Sequence, residues 1–200
     1  MDTVLWLLLI IVVVGVAFFA YTKARKDRTA KLKERFGPEY DRTLKGEGDR
    51  RSAEKELRER EERRSTLDIR PLDPAARERY SQSWTETQAR FVDDPTRAIK
   101  EADALVTLVM RDRGYPVEDF EQRAADVSVD HPHVVRNYRA ANKIATANER
   151  GDSSTEDLRQ AMVHYRELFE ELLNGGPADS RGEESATHPR SEERGAEARR

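Results

Sequence analysis

Apolar positions in this chain fall into two zones separated by a polar stretch. The first zone is continuous: from Val4 to Tyr21 there is no charged side chain, and the only polar atoms are the Trp6 indole nitrogen and the Tyr21 hydroxyl. Eighteen helical residues at 1.5 Å each reach about 27 Å, close to the hydrocarbon thickness of a bilayer. The pattern predicts one transmembrane helix over residues 1–22, with Trp6 and Tyr21 as interfacial aromatics. A cleaved export signal would carry a basic leader, a shorter apolar core and small residues at the cut. This one starts Met1-Asp2-Thr3 and ends in Val16, Phe18 and Phe19.

The second apolar zone, between Leu67 and Leu173, is periodic. Asp73-Pro74 and Asp94-Pro95 each read as a capping carboxylate followed by proline at the first helical position. Behind the first, Ala76, Tyr80, Trp84, Gln88 and Phe91 recur every three or four residues. Behind the second, Ile99, Ala102, Val106 and Val109 share a face widened by Leu105 and Met110, and Gly114-Tyr115-Pro116 ends it. A short helix follows around 119–127. Another starts at Pro132, with Val134, Tyr138, Ala141 and Ala145 aligned. In the last, Ser153 and Glu156 have capping-box spacing ahead of Leu158, Ala161, Met162, Tyr165, Leu168, Phe169 and Leu172. No strand pattern persists, since "DVSVD" alternates but is short and alone. The expectation is an all-α globular domain of about five helices over 67–174, with a disordered tail over 175–200.

Residues 23–66 separate the zones. Leu32, Phe36, Tyr40 and Leu44 are spaced by four, interrupted by Gly37-Pro38, where one helix would close and another open. "DRRSAEKELREREERRSTL" is nearly all charge, with Glu54–Arg58, Glu56–Arg60 and Glu59–Arg63 at helix-stabilising spacing. Ala53 and Leu57 alone are too few for a coiled-coil seam. The stretch reads as a basic juxtamembrane segment leading into a solvated helical spacer.

Charge sets the expected orientation. Lys23, Arg25, Lys26, Arg28, Lys31, Lys33 and Arg35 follow the apolar run against only Asp27 and Glu34, and basic flanks stay in the cytoplasm. The N-terminus is therefore expected outside and the remainder inside. The same cations either fix topology alone or also attract anionic lipids. The formal net charge of −3 argues against a general nucleic-acid binder, and the absence of cysteine excludes disulfides and thiolate chemistry.

Candidate chemistry is sparse. "DHPH" brings Asp130, His131 and His133 together, and His164 with Glu167 could complete a metal or acid–base site. The alternative is that Asp130 and His131 satisfy free amides at a helix start. The paired acids Asp93-Asp94, Glu118-Asp119 and Glu156-Asp157 stand at expected helix starts, where capping accounts for them. Trp84, Phe91, Tyr80 and Tyr138 could line a ligand pocket or fill a core. There is no glycine-rich phosphate loop and no nucleophile elbow. No catalytic residue and no cofactor are assigned.

The blocks "RFGPEYDR", "LDIRPL", "ARFVDDP", "ADALVTLVM", "RGYPVEDFEQRAADVSVDHP" and "AMVHYRELFEELL" resemble an uncharacterised family of bacterial, mainly actinobacterial, single-span membrane proteins. The likeness covers most of 34–173. It implies a bacterial origin, and so an inner-membrane location with the C-terminal domain cytoplasmic, and this architecture; the family has no assigned activity, so it carries over no catalytic residue. The expected function is a non-enzymatic, membrane-tethered interaction or scaffold protein with an unknown membrane-associated protein partner. The competing expectation is a small ligand- or metal-binding enzyme built around Asp130, His131, His133 and His164.

Overall fold

In the computed structural model the backbone is described for residues 2–175, and so are the side chains except those of residues 2–12, Val14, Ala17 and Tyr21. The described residues form eight α-helices and no strand: α1 (Asp2–Phe36), α2 (Pro38–Glu47), α3 (Arg50–Thr66), α4 (Pro74–Arg90), α5 (Pro95–Arg113), α6 (Phe120–Asp130), α7 (Val135–Glu149) and α8 (Thr155–Leu173). Among the described residues no helix is long and apolar enough to cross a membrane. Most side chains of the expected span, Trp6 and Tyr21 included, lie outside those described, as does the tail over 176–200 with His188. Within that span, Val13, Val16, Phe18 and Phe19 are described and are all exposed, between 58% and 69%.

Helices α4–α8 share one apolar core. α4 and α5 form an antiparallel hairpin, Tyr80 donating to Asp112 at 2.6 Å near one end and Arg90 pairing with Glu101 near the other. α8 runs parallel to α5: Tyr165 donates to Asp103 at 2.9 Å, and Arg113 donates to the Leu172 carbonyl at 2.6 Å. Ile99, Val106, Val109, Met110, Tyr138, Tyr165, Leu168 and Leu172 are all fully buried in one core. Trp84 stacks on Phe169 with centroids 4.6 Å apart, and Tyr138 packs between Phe120 and Tyr165. The helically spaced aromatics thus fill the core, with Tyr80 and Phe91 at its edge.

The capping logic holds locally. Asp73, Asp94 and Asp119 accept from the amides of Ala76, Arg97 and Gln122. The capping box of α8 is one residue further on than its spacing suggests: Ser154 and Asp157 exchange hydrogen bonds, while Ser153 donates to the Ile144 carbonyl. Ser154→Ala removes one side of that box and should lower stability by about 1 kcal/mol, read as a shifted denaturant midpoint. Helix α6 extends to Asp130, and α7 begins at Val135 rather than Pro132.

The spacer expectation needs correction. Leu32, Phe36, Tyr40 and Leu57 bury against Val129 of α6 in a second core, with Leu44 at its edge. Ala53 and Leu57 are fully buried, so α3 is a packed helix. Two apolar positions suffice because the rest of its inward face is charged and paired. α3 runs alongside α1 in the same direction, since Thr29 meets Glu54 and Arg35 meets Glu61. α2 is the return leg between them. The turn from α1 needs Gly37, whose φ of +47° is costly for other residues, and Pro38 opens α2. Residues 32–66 therefore form a three-helix unit seated on α6.

Helix α6 is the shared wall. Ala124 and Val127 enter the main core, and Val129 enters the second one. Residues two apart on a helix point about 200° away from each other. The short alternation in "DVSVD" is thus explained by a helix buried on opposite sides.

Candidate functional site

The seam between the three-helix unit and α6–α7 concentrates charge in the interior. Glu39, in the first turn of α2, is 2% exposed. Its Oε1 accepts from Arg60 of α3 at 3.0 Å, Arg139 of α7 at 3.2 Å and Arg42 at 3.3 Å. Arg60 also donates to Glu56 at 2.9 Å, and Arg139 to Glu121. One carboxylate thus ties α2 to α3 and to α7. A buried ion is tolerable only with such partners, because leaving it unpaired costs several kcal/mol.

A second knot joins α1 to α3. Glu54 accepts from Thr29 at 2.7 Å, Arg50 at 2.8 Å and Tyr40 at 3.2 Å, and Arg50 also donates to Thr29. Burial pushes the Glu54 carboxyl up, but the hydrogen bonds from Arg50 and Thr29 outweigh it and hold the group below its usual range. Tyr40 is raised by burial and by the neighbouring Glu54 charge. Of the within-helix pairs expected on α3, Glu56–Arg60 forms, Glu54–Arg58 is long at 4.0 Å, and Arg63 turns instead toward Asp126 at 3.8 Å.

The residues nominated for metal or acid–base chemistry are spread among separate tasks. Asp130, the last residue of α6, accepts from Tyr115 at 2.7 Å and pairs with Arg64 of α3. The Asp130 side chain satisfies no amide at a helix start, whereas the His131 carbonyl accepts from the amides of Val134 and Val135 where α7 begins, and its own amide donates to the Val127 carbonyl at the end of α6. Its ring is buried, with Nδ1 3.2 Å from Glu171. His133 is exposed and His164 half-buried. Among the described residues no three His, Asp or Glu side chains converge as metal ligands. Tyr115 is pushed up by burial and by Asp130, and Tyr165 by burial and by Asp103, so both hydroxyls stay protonated donors. Burial likewise pushes Tyr138 up to about 12.

His131 gives the seam a pH dependence. Burial lowers its pKa, and Arg113 adds to that, against the opposing effects of Glu171 and Asp130. Its Nε2 is buried without a hydrogen-bond partner among the described residues, so a proton there would have no acceptor. The unfolded chain, at about 6.5, binds that proton more readily. Stability should therefore fall as pH drops below about 6.5, and stop falling on this account below the depressed folded value. His131→Gln should show a flatter stability curve than the wild type between about pH 7 and 5 in denaturant titrations.

Two surface grooves adjoin these knots. One, of about 370 Å³, lies over the Glu39 knot between Pro38, Arg42, Lys45 and Pro132, Arg136, Arg139. The other, of about 410 Å³, runs between α1 and α3 and is lined by Arg25, Arg28, Arg51, Lys55 and Arg58 around Glu54. Neither joins a nucleophile to a base; both present cations. No family model, curated protein or solved structure matches the chain.

Proposed function

We propose that this chain is a non-enzymatic, membrane-tethered interaction protein. A single N-terminal span, outside to inside, holds its helical body at the cytoplasmic face of a bacterial inner membrane. The observation that carries this reading is α1 itself. One unbroken helix passes from an uncharged apolar segment into the three-helix unit. Val13, Val16, Phe18 and Phe19 of that segment are all exposed among the described residues. A row of exposed bulky apolar side chains is costly in water and favourable in lipid.

The lower half of the same helix supports a rigid attachment. Leu32 and Phe36 are buried in the second core, and Thr29 belongs to the Glu54 knot. The body would then be fixed close to the bilayer instead of dangling on a free spacer. Tethering raises encounters with other membrane-bound proteins by local concentration, without strengthening any contact. Outside α1 the only exposed large apolar side chains among the described residues are Val92, in the turn between α4 and α5, and Leu108, on α5. Recognition of the protein partner would therefore rest on charged surface, which is rich around both grooves. The reading predicts that the full chain stays with membranes through an alkaline carbonate wash. Its release into the wash would reject the anchor.

A further inference from the structure

The groove between α1 and α3 gathers cations from two helices over about two turns. Ala24, Arg25 and Arg28 of α1 face Arg51, Lys55 and Arg58 of α3. Five basic side chains thus surround one carboxylate, Glu54, which is already engaged by Thr29, Arg50 and Tyr40. Lys55 has an exposed partner in Glu59 at 3.3 Å, and Arg58 only a long contact to Glu54. Arg25, Arg28 and Arg51 carry no ion pair among the described residues. Like charges are held together here by the buried Thr29–Glu54 hydrogen bond beneath them, with Arg50 closing it from the surface, and an anion placed between them would relieve their repulsion.

The height of the groove narrows the choice of anion. Arg25 and Arg28 stand four and seven residues past Tyr21 on the same continuous helix, about 6 and 10 Å along its axis. The polar layer on each side of a bilayer is about 5–8 Å deep. Arginine stems extend toward that layer while their head groups stay polar. Because α3 runs parallel to α1, its N-terminal turn with Arg51 sits at the same end.

We propose that this groove is a phosphate site for the headgroup of an anionic phospholipid, clamped between α1 and α3. Its chemistry is that of a phosphate mono- or diester anion met by guanidinium forks. The assignment to lipid, and not to free phosphate, rests on the anchor reading, which sets the end of the groove at Arg25 and Arg51 at headgroup depth, with Arg28, Lys55 and Arg58 reaching toward it. The site differs from a merely basic flank because Arg51, Lys55 and Arg58 come from a helix some thirty residues further along the chain.

The test uses the full chain in dodecyl maltoside micelles. With no native cysteine, a single Ser52→Cys change can carry a bimane reporter at an exposed position of α3, beside the groove. Dihexanoyl phosphatidylglycerol, dihexanoyl phosphatidylcholine and inorganic phosphate are titrated in turn. The expected result is a saturable emission change, with phosphatidylglycerol at least tenfold tighter than either alternative. Arg51→Gln/Lys55→Gln/Arg58→Gln should weaken it at least tenfold, since each basic residue near a lipid surface contributes about fivefold. Lys100→Gln, an exposed cation on α5, should leave it unchanged. Circular dichroism melting shows whether the triple variant is folded; if it is not, Arg25→Gln/Arg28→Gln on exposed α1 must give the same loss. Equal response to the two lipids, or no loss in the variants, overturns the site. Inorganic phosphate binding as tightly as phosphatidylglycerol overturns the lipid assignment. Failure here leaves the chain resistant to carbonate extraction, whereas failure of the anchor releases even the wild type.

Discussion

Glu39→Ala should destabilise the attachment of the three-helix unit by about 3–5 kcal/mol, the range for removing one partner from a buried ion cluster. The loss is large because Arg60 and Arg139 are 8% and 12% exposed and cannot turn fully to water. Arg42 is half-exposed and can. The damage should be local. The second core and the main core are distinct clusters that share only the α6 wall, so α2 and α3 should open while α5 and α8 stay closed. Hydrogen exchange of the full chain reads this directly: amide protection falls in 38–66 and holds in 98–113 and 158–173. Replacing Glu39, Arg60 and Arg139 together by apolar residues of similar volume should recover most of the loss, because the charges that then lose a partner, Arg42, Glu56 and Glu121, all reach water. Uniform loss of protection across all helices would contradict the two-cluster description.

Gly114→Ala should cost about 3 kcal/mol or more, and this time in the main core. Gly114 ends α5 at φ +98°, a conformation that costs a residue with a Cβ about 1–2 kcal/mol. A Cβ there would also lie 2.3 Å from the Asp68 carbonyl oxygen. The segment crossing the end of α5 would have to move away. It is held by the Arg70 amide donating to the Arg113 carbonyl at 2.9 Å and by buried Leu72. Losing that hydrogen bond forfeits about 0.5–1.5 kcal/mol, and exposing Leu72 would add about 1.5–3. A thermal melt should show the transition well below the wild type. An unchanged melting temperature would mean that residues 68–72 do not rest against Gly114 in solution.

The five-helix body was legible because its signals are local. Asp73, Asp94 and Asp119 each announce a start, and the apolar faces of α5 and α8 are long enough to show their period. The packing of α3 was not. Ala53 and Leu57 make too short a seam, and the rest of its buried face is Glu54 and Arg60, residues that composition assigns to solvent. Their burial depends on partners far along the chain. Glu39 meets Arg60 at a separation of 21 residues and Arg139 at 100, and no periodicity encodes either distance. An acid in the first turn of a helix also looks like a dipole partner, so Glu39 had an ordinary explanation in the sequence.

The histidine cluster failed for a related reason. Adjacency in "DHPH" suggested convergence, but α6 ends within it, and the turn before α7 sends His131 inward and leaves His133 exposed. Asp130 faces Tyr115 and Arg64 because it is the last residue of a helix wedged between two cores. The basic groove was half legible. Arg25 and Arg28 stood out as a flank, but Arg51, Lys55 and Arg58 join them only once α3 lies along α1.

Protease protection of an epitope placed after Arg200 tests the central claim most directly. In intact bacterial cells with a permeabilised outer envelope, the epitope should survive added protease on a full-length chain of about 23.0 kDa, and be lost once the inner membrane is opened. Digestion before opening, or a protected band shortened by loss of the N-terminal helix, would contradict an uncleaved anchor with its helical body inside.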